Sequence, residues 1–235
     1  MRVGLPFSGD RRSTRTLRLP TFEDQDKLPL LMAAVMESQR WAPVTPIGVP
    51  HRTTEDDVYR GYFIPRGSVI VANQWSMLNS PEEFGEDVLE YNPARFIRPK
   101  AGEEGKAVEI NPDIRHPANI AFGFGRRWVS FLPLIRLIPA TYVNCRRYPD
   151  PQLYRACPGS DIAHSALWLT TACLLTVFEF EAPDIEKPSY IGADGMVDPR
   201  FDPGFVCHPK KFKCEFKVRS EEARALLGEL GMNVQ

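Results

Sequence analysis

Two pieces of this chain are intelligible only when read together. Phe122-Gly123-Phe124-Gly125-Arg126-Arg127 runs into an apolar segment, Trp128 to Arg155, and Ala156-Cys157-Pro158-Gly159 follows it. Joined across that gap they spell Phe-x-x-Gly-x-Arg-x-Cys-x-Gly, a glycine-punctuated approach to a cysteine. From Ser160 onward Ile162, Ala163, Ala166, Leu167, Leu169, Cys173, Leu174 and Val177 keep an apolar face at helical spacing, so the cysteine stands at the mouth of a helix.

The chemistry of such a loop follows from its residue types. A cysteine binds metal as thiolate, and thiolate is favoured where unpaired N–H groups and the helix dipole stabilise negative charge. Pro158 suits a first helical position. Gly123 and Gly125 allow close backbone approach, and Arg127 offers a planar fork of donors to a carboxylate. Taken alone, a cysteine before a helix is more often a buried small hydrophobe. The complete spaced string reverses that order. None of the five cysteines forms a C-x-x-C pair, which argues against structural zinc and against a metal site built from Cys157, Cys145 and nearby histidines. Their odd number and irregular spacing argue against a disulfide framework.

A formal net charge of −1 removes the usual electrostatic case for nucleic acid or an anionic membrane as partner. Met1 to Thr16 is polar and basic with no apolar core, so no signal peptide is expected. No window reaches the roughly 18 apolar residues that a spanning helix needs.

Along the chain, residues 1–20 read as an irregular leader. Leu28 to Trp41 repeats apolar residues at spacings of three and four, which predicts an amphipathic helix ending before Pro43. Tyr59 to Gly67 predicts a hairpin, with Ser68 to Asn73 as a return strand. Short helices are expected at Trp75–Leu78 and Pro81–Phe84, an irregular loop at Tyr91–Pro99 and a charged surface loop at Ala101–Val108. A long helix over Ser160–Phe178 leads into a strand. The alternation of Phe212, Cys214, Phe216 and Val218 predicts a half-buried strand, and Glu221–Met232 a closing helix. The expected class is α+β, mainly helical.

A second motif lies at the end of the first helix. Glu37 and Arg40, three apart, share one face and can pair. By themselves they would be a solvated pair worth a few tenths of a kcal/mol. Asn92-Pro93-Ala94-Arg95-Phe96 supplies another arginine in a proline-fixed loop. Together with the cysteine loop, this resembles the cytochrome P-450 monooxygenases, whose Glu-x-x-Arg helix and Pro-x-Arg-Phe loop close a Glu–Arg–Arg network. Gly61-Tyr62-Phe63-Ile64-Pro65-Arg66-Gly67 and Asn73 follow the same family order, and the substitution pattern resembles its fungal, microsomal branch. The resemblance covers about residues 20–127 and 156–220.

The resemblance implies the proximal, C-terminal part of that fold as a single domain over residues 21–235, binding haem b. Cys157 would be the axial thiolate to iron. Arg127 would pair with a propionate, with His116 and His51 as further candidates, although either could equally be a surface-loop histidine. Phe122 would shield the thiolate, Gly125 and Gly159 would shape the loop, and Val44 to Val49 would line part of a substrate pocket. Glu37, Arg40 and Arg95 would be structural. The implied reaction inserts one atom of O₂ into a small organic substrate, with electrons from an NADPH-dependent flavoprotein reductase. The implied address is the cytosolic face of the endoplasmic reticulum membrane, although the chain itself reads as soluble.

Two departures temper this. The family fold is expected to be about twice as long, so the oxygen-activating helix and membrane anchor are expected before the Glu-x-x-Arg helix, outside this chain. The 28 residues from Trp128 to Arg155 interrupt the most constrained loop of the fold, and deleting them restores it without a seam. Codons for Arg127 and for Tyr154-Arg155 can carry splice-donor-like and acceptor-like ends in matching phase, which suggests an in-frame retained intron. The alternative is a genuine inserted surface loop. If translated, Phe131 to Ile138 is expected to form an exposed apolar patch. The function class that competes with a monooxygenase is accordingly a truncated, non-catalytic remnant that binds no haem.

Overall fold

Helix α1 (Pro29–Trp41) organises the core. Pro29 occupies its first turn, where a missing N–H costs nothing, and the helix stops at Ala42, one residue before Pro43. One face carries Leu31, Met32, Val35 and Met36, all buried. The computed structural model describes residues 17–102, 107–124, 157, 159–181, 201–202 and 204–231.

Around α1 the chain lays short strand pairs and helices. Strand β1 (His51–Arg52) pairs antiparallel with β4 (Val69–Ile70). Between them β2 (Asp57–Tyr59) and β3 (Tyr62–Ile64) form a hairpin with Tyr59 opposite Tyr62. Arg60 and Gly61 both take positive φ (49° and 84°), as a two-residue turn of matching twist requires. The hairpin therefore turns at Arg60-Gly61, near the start of the expected Tyr59–Gly67 span. The return strand is two residues long and pairs with His51-Arg52.

Helices α2 (Gln74–Leu78) and α3 (Pro81–Phe84) follow. Asn73 caps α2 by accepting from the Ser76 N–H at 3.0 Å. The Tyr91–Pro99 stretch is more regular than its prolines suggest. It holds a 3₁₀ turn, Pro93–Phe96, and strand β5 (Ile97–Pro99), which pairs with β6 (Val108–Ile110). Helix α4 (Ala118–Ala121) precedes the cysteine loop, and α5 (Ser160–Val177) follows it. Strand β7 (Phe178–Glu181) pairs with β10 (Glu215–Val218), which starts three residues later than Phe212. Strands β8 (Phe201–Asp202) and β9 (His208–Pro209) form a small pair, and α6 (Glu221–Glu229) closes the described chain.

The main core joins α1, α4 and α5. Leu31, Met36, Leu78, Phe96, Ile120 and Trp168 are each at most 1% exposed. Phe84 packs edge-on to Phe96 at 6.2 Å, and Phe22 leans on Trp168 at 6.3 Å. A second cluster places Trp41 against Cys207, Trp75 and Phe201, and a third binds α6 to the end of α5 through Val177, Ala223 and Leu227. Among the described residues, no helix is long and apolar enough to cross a membrane. Ten large apolar residues between Val44 and Val71 are exposed, from Ile70 at 42% to Tyr62 at 76%.

Candidate functional site

The two halves of the broken string meet in space. Phe122 ends α4, and its carbonyl accepts the backbone N–H of Cys157 at 3.1 Å. Gly123 turns the chain there with φ +78°, a conformation costly for any residue with a Cβ. On the far side Gly159 is the N-cap of α5, and the Ser160 N–H donates to the Cys157 carbonyl at 3.0 Å. Cys157 is a free, exposed thiol. A Cβ on Gly159 would lie 3.6 Å from its Sγ, so glycine keeps that flank of the sulfur bare. The result is one accessible sulfur at the N-terminal end of an 18-residue helix.

Phe122 is half-buried beside this turn. Gly125 and Arg127 lie outside the described residues, as do Trp128 to Arg155 and the apolar run Phe131 to Ile138. His51 is exposed in β1, far in sequence from the loop. His116 is half-buried, and burial, with help from neighbouring His164, pushes its pKa down to about 3. It is neutral at ordinary pH and offers a propionate no positive charge.

The Glu37, Arg40 and Arg95 side chains converge at the back of α1. Arg40 grips Glu37 with two bonds, Nε to Oε2 at 2.7 Å and an Nη to Oε1 at 2.8 Å, and both residues are fully buried. Arg95 adds Nε at 3.2 Å to Oε2, and the Asn92 backbone N–H adds a bond of 2.8 Å to Oε1. Arg40 spends its remaining donors on the carbonyls of Leu78 and Glu90 and on Asn79. Arg95 reaches Asp87 at 2.8 Å and the Phe84 carbonyl. A fully buried carboxylate thus has four donors, the condition under which such a charge is tolerated. The network fastens the 78–96 segment to α1.

A model of the cytochrome P450 family matches residues 9–128. The chain belongs to the cytochrome P450 family. It is 33% identical to cytochrome P450 monooxygenase claR of Ampulloclitocybe clavipes over 92% of this chain and 32% of that protein. It is 36% identical to the tryptamine 4-monooxygenase of Psilocybe cyanescens over 85% of this chain and 32% of that one. For cytochrome P450 monooxygenase 58 of Postia placenta the figures are 33%, 92% and 34%. The chain spans about a third of the length of these relatives, not the half expected from its sequence.

For a P450 chain the donor set is apt. A single accessible sulfur, with its own N–H and C=O both engaged by backbone, is a suitable axial ligand for haem iron. Two contributors escaped the sequence reading. Gln74, 1% exposed, accepts from the Thr45 hydroxyl at 3.4 Å. Its amide nitrogen lies 2.9 Å from where a Gly48 Cβ would stand and 3.5 Å from that of Gly123, so it bridges the Val44–Val49 segment and the cysteine turn. His164, on α5, is buried against α1 and His116. A polar residue on an apolar helical face was the only advance signal for either.

Proposed function

We propose that this chain is the haem-binding, proximal part of a monooxygenase, with Cys157 as the axial thiolate. The observation that carries this is the joined loop: Cys157, tied to the Phe122 carbonyl, presents a free thiol at the start of α5. When bound, haem would supply oxygen activation, and an axial thiolate favours O–O cleavage by pushing electron density toward iron. The chain's own part is to fix the sulfur and hold Phe122 beside it. It also braces α1 through Glu37, Arg40 and Arg95, and it sets Val44–Val49 on the substrate side. Arg127, and by hydrogen bonding His116 or His51, are the proposed propionate partners. Electrons would come from an NADPH-dependent flavoprotein reductase, the substrate would be a small organic molecule, and the address would be the endoplasmic reticulum membrane.

The segment 128–155 is proposed to be a retained intron. In support, the match to the family model ends at residue 128, where the segment begins, whereas the similarity to the relatives extends beyond it.

The test is spectroscopic. The chain is prepared with and without residues 128–155, loaded with haem, reduced and exposed to CO. The long-wavelength Soret band of a thiolate-ligated haem is expected, and Cys157→Ser is expected to abolish it. A haem-loaded chain with no such band, or one unchanged in Cys157→Ser, overturns the assignment. The second reading, a non-catalytic truncated remnant that binds no haem, is favoured by one observation: the ten apolar side chains of 44–71 that flank the proposed substrate side are exposed among the described residues.

A further inference from the structure

Seven residues beyond Cys157, the imidazole of His164 is only 8% exposed, on the same buried face of the helix as Trp168 and Ala172. Its Nδ1 lies 3.3 Å from the Gln39 amide nitrogen, and its Nε2 lies 3.3 Å from the Met32 sulfur. Both partners are on α1, seven residues apart and therefore on one face. One neutral imidazole serves both contacts: Nδ1 accepts from Gln39 and the Nε2–H points at the thioether. The His116 ring meets the His164 ring edge-on, centroids 5.3 Å apart at 60°. His116 in turn accepts the Ala118 N–H through Nδ1 at 3.1 Å, which sets the start of α4.

These contacts form a closed circuit. Helix α4 ends at Phe122, whose carbonyl holds the Cys157 N–H. Helix α5 begins at Ser160, three residues after Cys157, and carries His164 back to His116. The two chain segments that enter and leave the cysteine loop are therefore pinned together at both ends, by a backbone bond at one and a histidine pair at the other. Gln39 and Met32 anchor the second pin to the Glu37–Arg40 helix.

We propose that His164 is a positioning residue for the Cys157 loop, holding the first turns of α5 in register with α1 and α4. The inference deepens the haem-thiolate reading, since the loop it positions carries the proposed ligand. Its consequence is local. Loss of the imidazole frees the N-terminal turns of α5, while the remote cluster of Val177, Ala223 and Leu227 is untouched.

Peptide-resolved amide hydrogen exchange on the full chain without haem reads this directly. In His164→Leu, protection at Cys157, Ser160 and Ala163 is expected to fall about tenfold, the scale set by one buried hydrogen bond. His164→Asn places an amide oxygen near the Nδ1 position and is expected to keep most of the protection. Leu227→Ala, which weakens the third cluster, is expected to leave those three amides at their wild-type level relative to the core. Equal protection in His164→Leu and wild type overturns the proposal, as does an equal loss in His164→Asn and Leu227→Ala. If His164→Leu does not fold, Gln39→Leu removes the same contact from the α1 side and is read in the same way. With haem bound, His164→Leu is expected to lose part of the thiolate CO signature that His164→Asn retains. A wild-type chain without that signature sinks the cofactor assignment alone, because the exchange data still decide the positioning role.

Discussion

The backbone N–H of Cys157 donates to the carbonyl of Phe122 at 3.1 Å, across 35 residues of sequence. One bond thereby reunites the cysteine loop that the linear chain presents in two parts. It fixes where the sulfur stands, at the entrance to α5, and it makes the geometry of the loop depend on α4 as much as on the cysteine. The same segment is braced from behind by α1.

The buried carboxylate on α1 gives the strongest stability forecast. Arg40→Leu leaves Glu37 in the core with Arg95 and the Asn92 N–H as its remaining donors. A loss of about 3–5 kcal/mol is expected in urea unfolding, the usual scale for breaking a buried pair from one side. Glu37→Leu combined with Arg40→Leu is expected to cost less than the sum of the single changes, because the unpaired charge disappears. Additive losses would show that Glu37 and Arg40 do not act as a pair.

Acid should weaken this fold earlier than its carboxylates require. Burial holds both His116 and His164 below the ordinary histidine value, His116 at about 3. Asp161 acts the other way on His164, favouring its charged form, but burial outweighs it. The unfolded chain takes up protons near the ordinary histidine pKa of about 6.5 while the folded chain refuses them. Their stabilisation is thus complete above about pH 6.5 and is lost as pH falls, the His116 part over the range down to about 3, with a limiting slope of ~1.4 kcal/mol per pH unit per group. Asp24, held low by Arg18, and Asp87, held low by Asn92 and Arg95, act only below the ordinary carboxylate value of about 3.8. Urea midpoints at about pH 7 and about pH 5 check this. A midpoint that does not move, or one that moves equally in a His116→Asn, His164→Asn double variant, contradicts the assignment.

Much of the fold was legible because α1 and α5 announce themselves by a 3.6-residue apolar period, and their observed ends fall within a residue of the expected ones. The strands were read less well. Ile97-Arg98-Pro99 is short and contains proline, which marks it as a loop until β6 is seen beside it. The hairpin was placed too late because the Arg60-Gly61 turn is flanked by aromatics on both sides. Cys157 was visible as a candidate ligand only because its spacing survives removal of 28 residues. His164 was not visible, since its partners Gln39 and Met32 lie 125 and 132 residues away, and a lone histidine on a helix gives no hint of them.

Glycine positions separate backbone strain from crowding. Gly61 and Gly48 both have positive φ, 84° and 60°, but a Cβ on Gly61 meets nothing within 4 Å while one on Gly48 would sit 2.9 Å from Gln74 Nε2. Gly61→Ala is expected to cost about 1–2 kcal/mol from the left-handed backbone alone. Gly48→Ala is expected to cost more, and the excess should vanish in a Gln74→Ala background. Equal costs for the two alanines would mean that Gln74 moves aside freely and does not bridge the Val44–Val49 segment to Gly123.

Removing residues 128–155 shortens the loop closed by the Cys157–Phe122 bond from 35 residues to 7. If those 28 residues add only loop length, their removal lowers the closure entropy by a fivefold change in length, about 1.4 kcal/mol. The deletion variant is therefore expected to unfold at higher urea with an unchanged slope. It is also expected to aggregate less, since Phe131 to Ile138 leave with it. A genuine inserted loop that packs on the rest of the chain gives the opposite sign: the deletion then destabilises. The direction of the shift thus distinguishes a sequence the fold has to accommodate from one the fold uses.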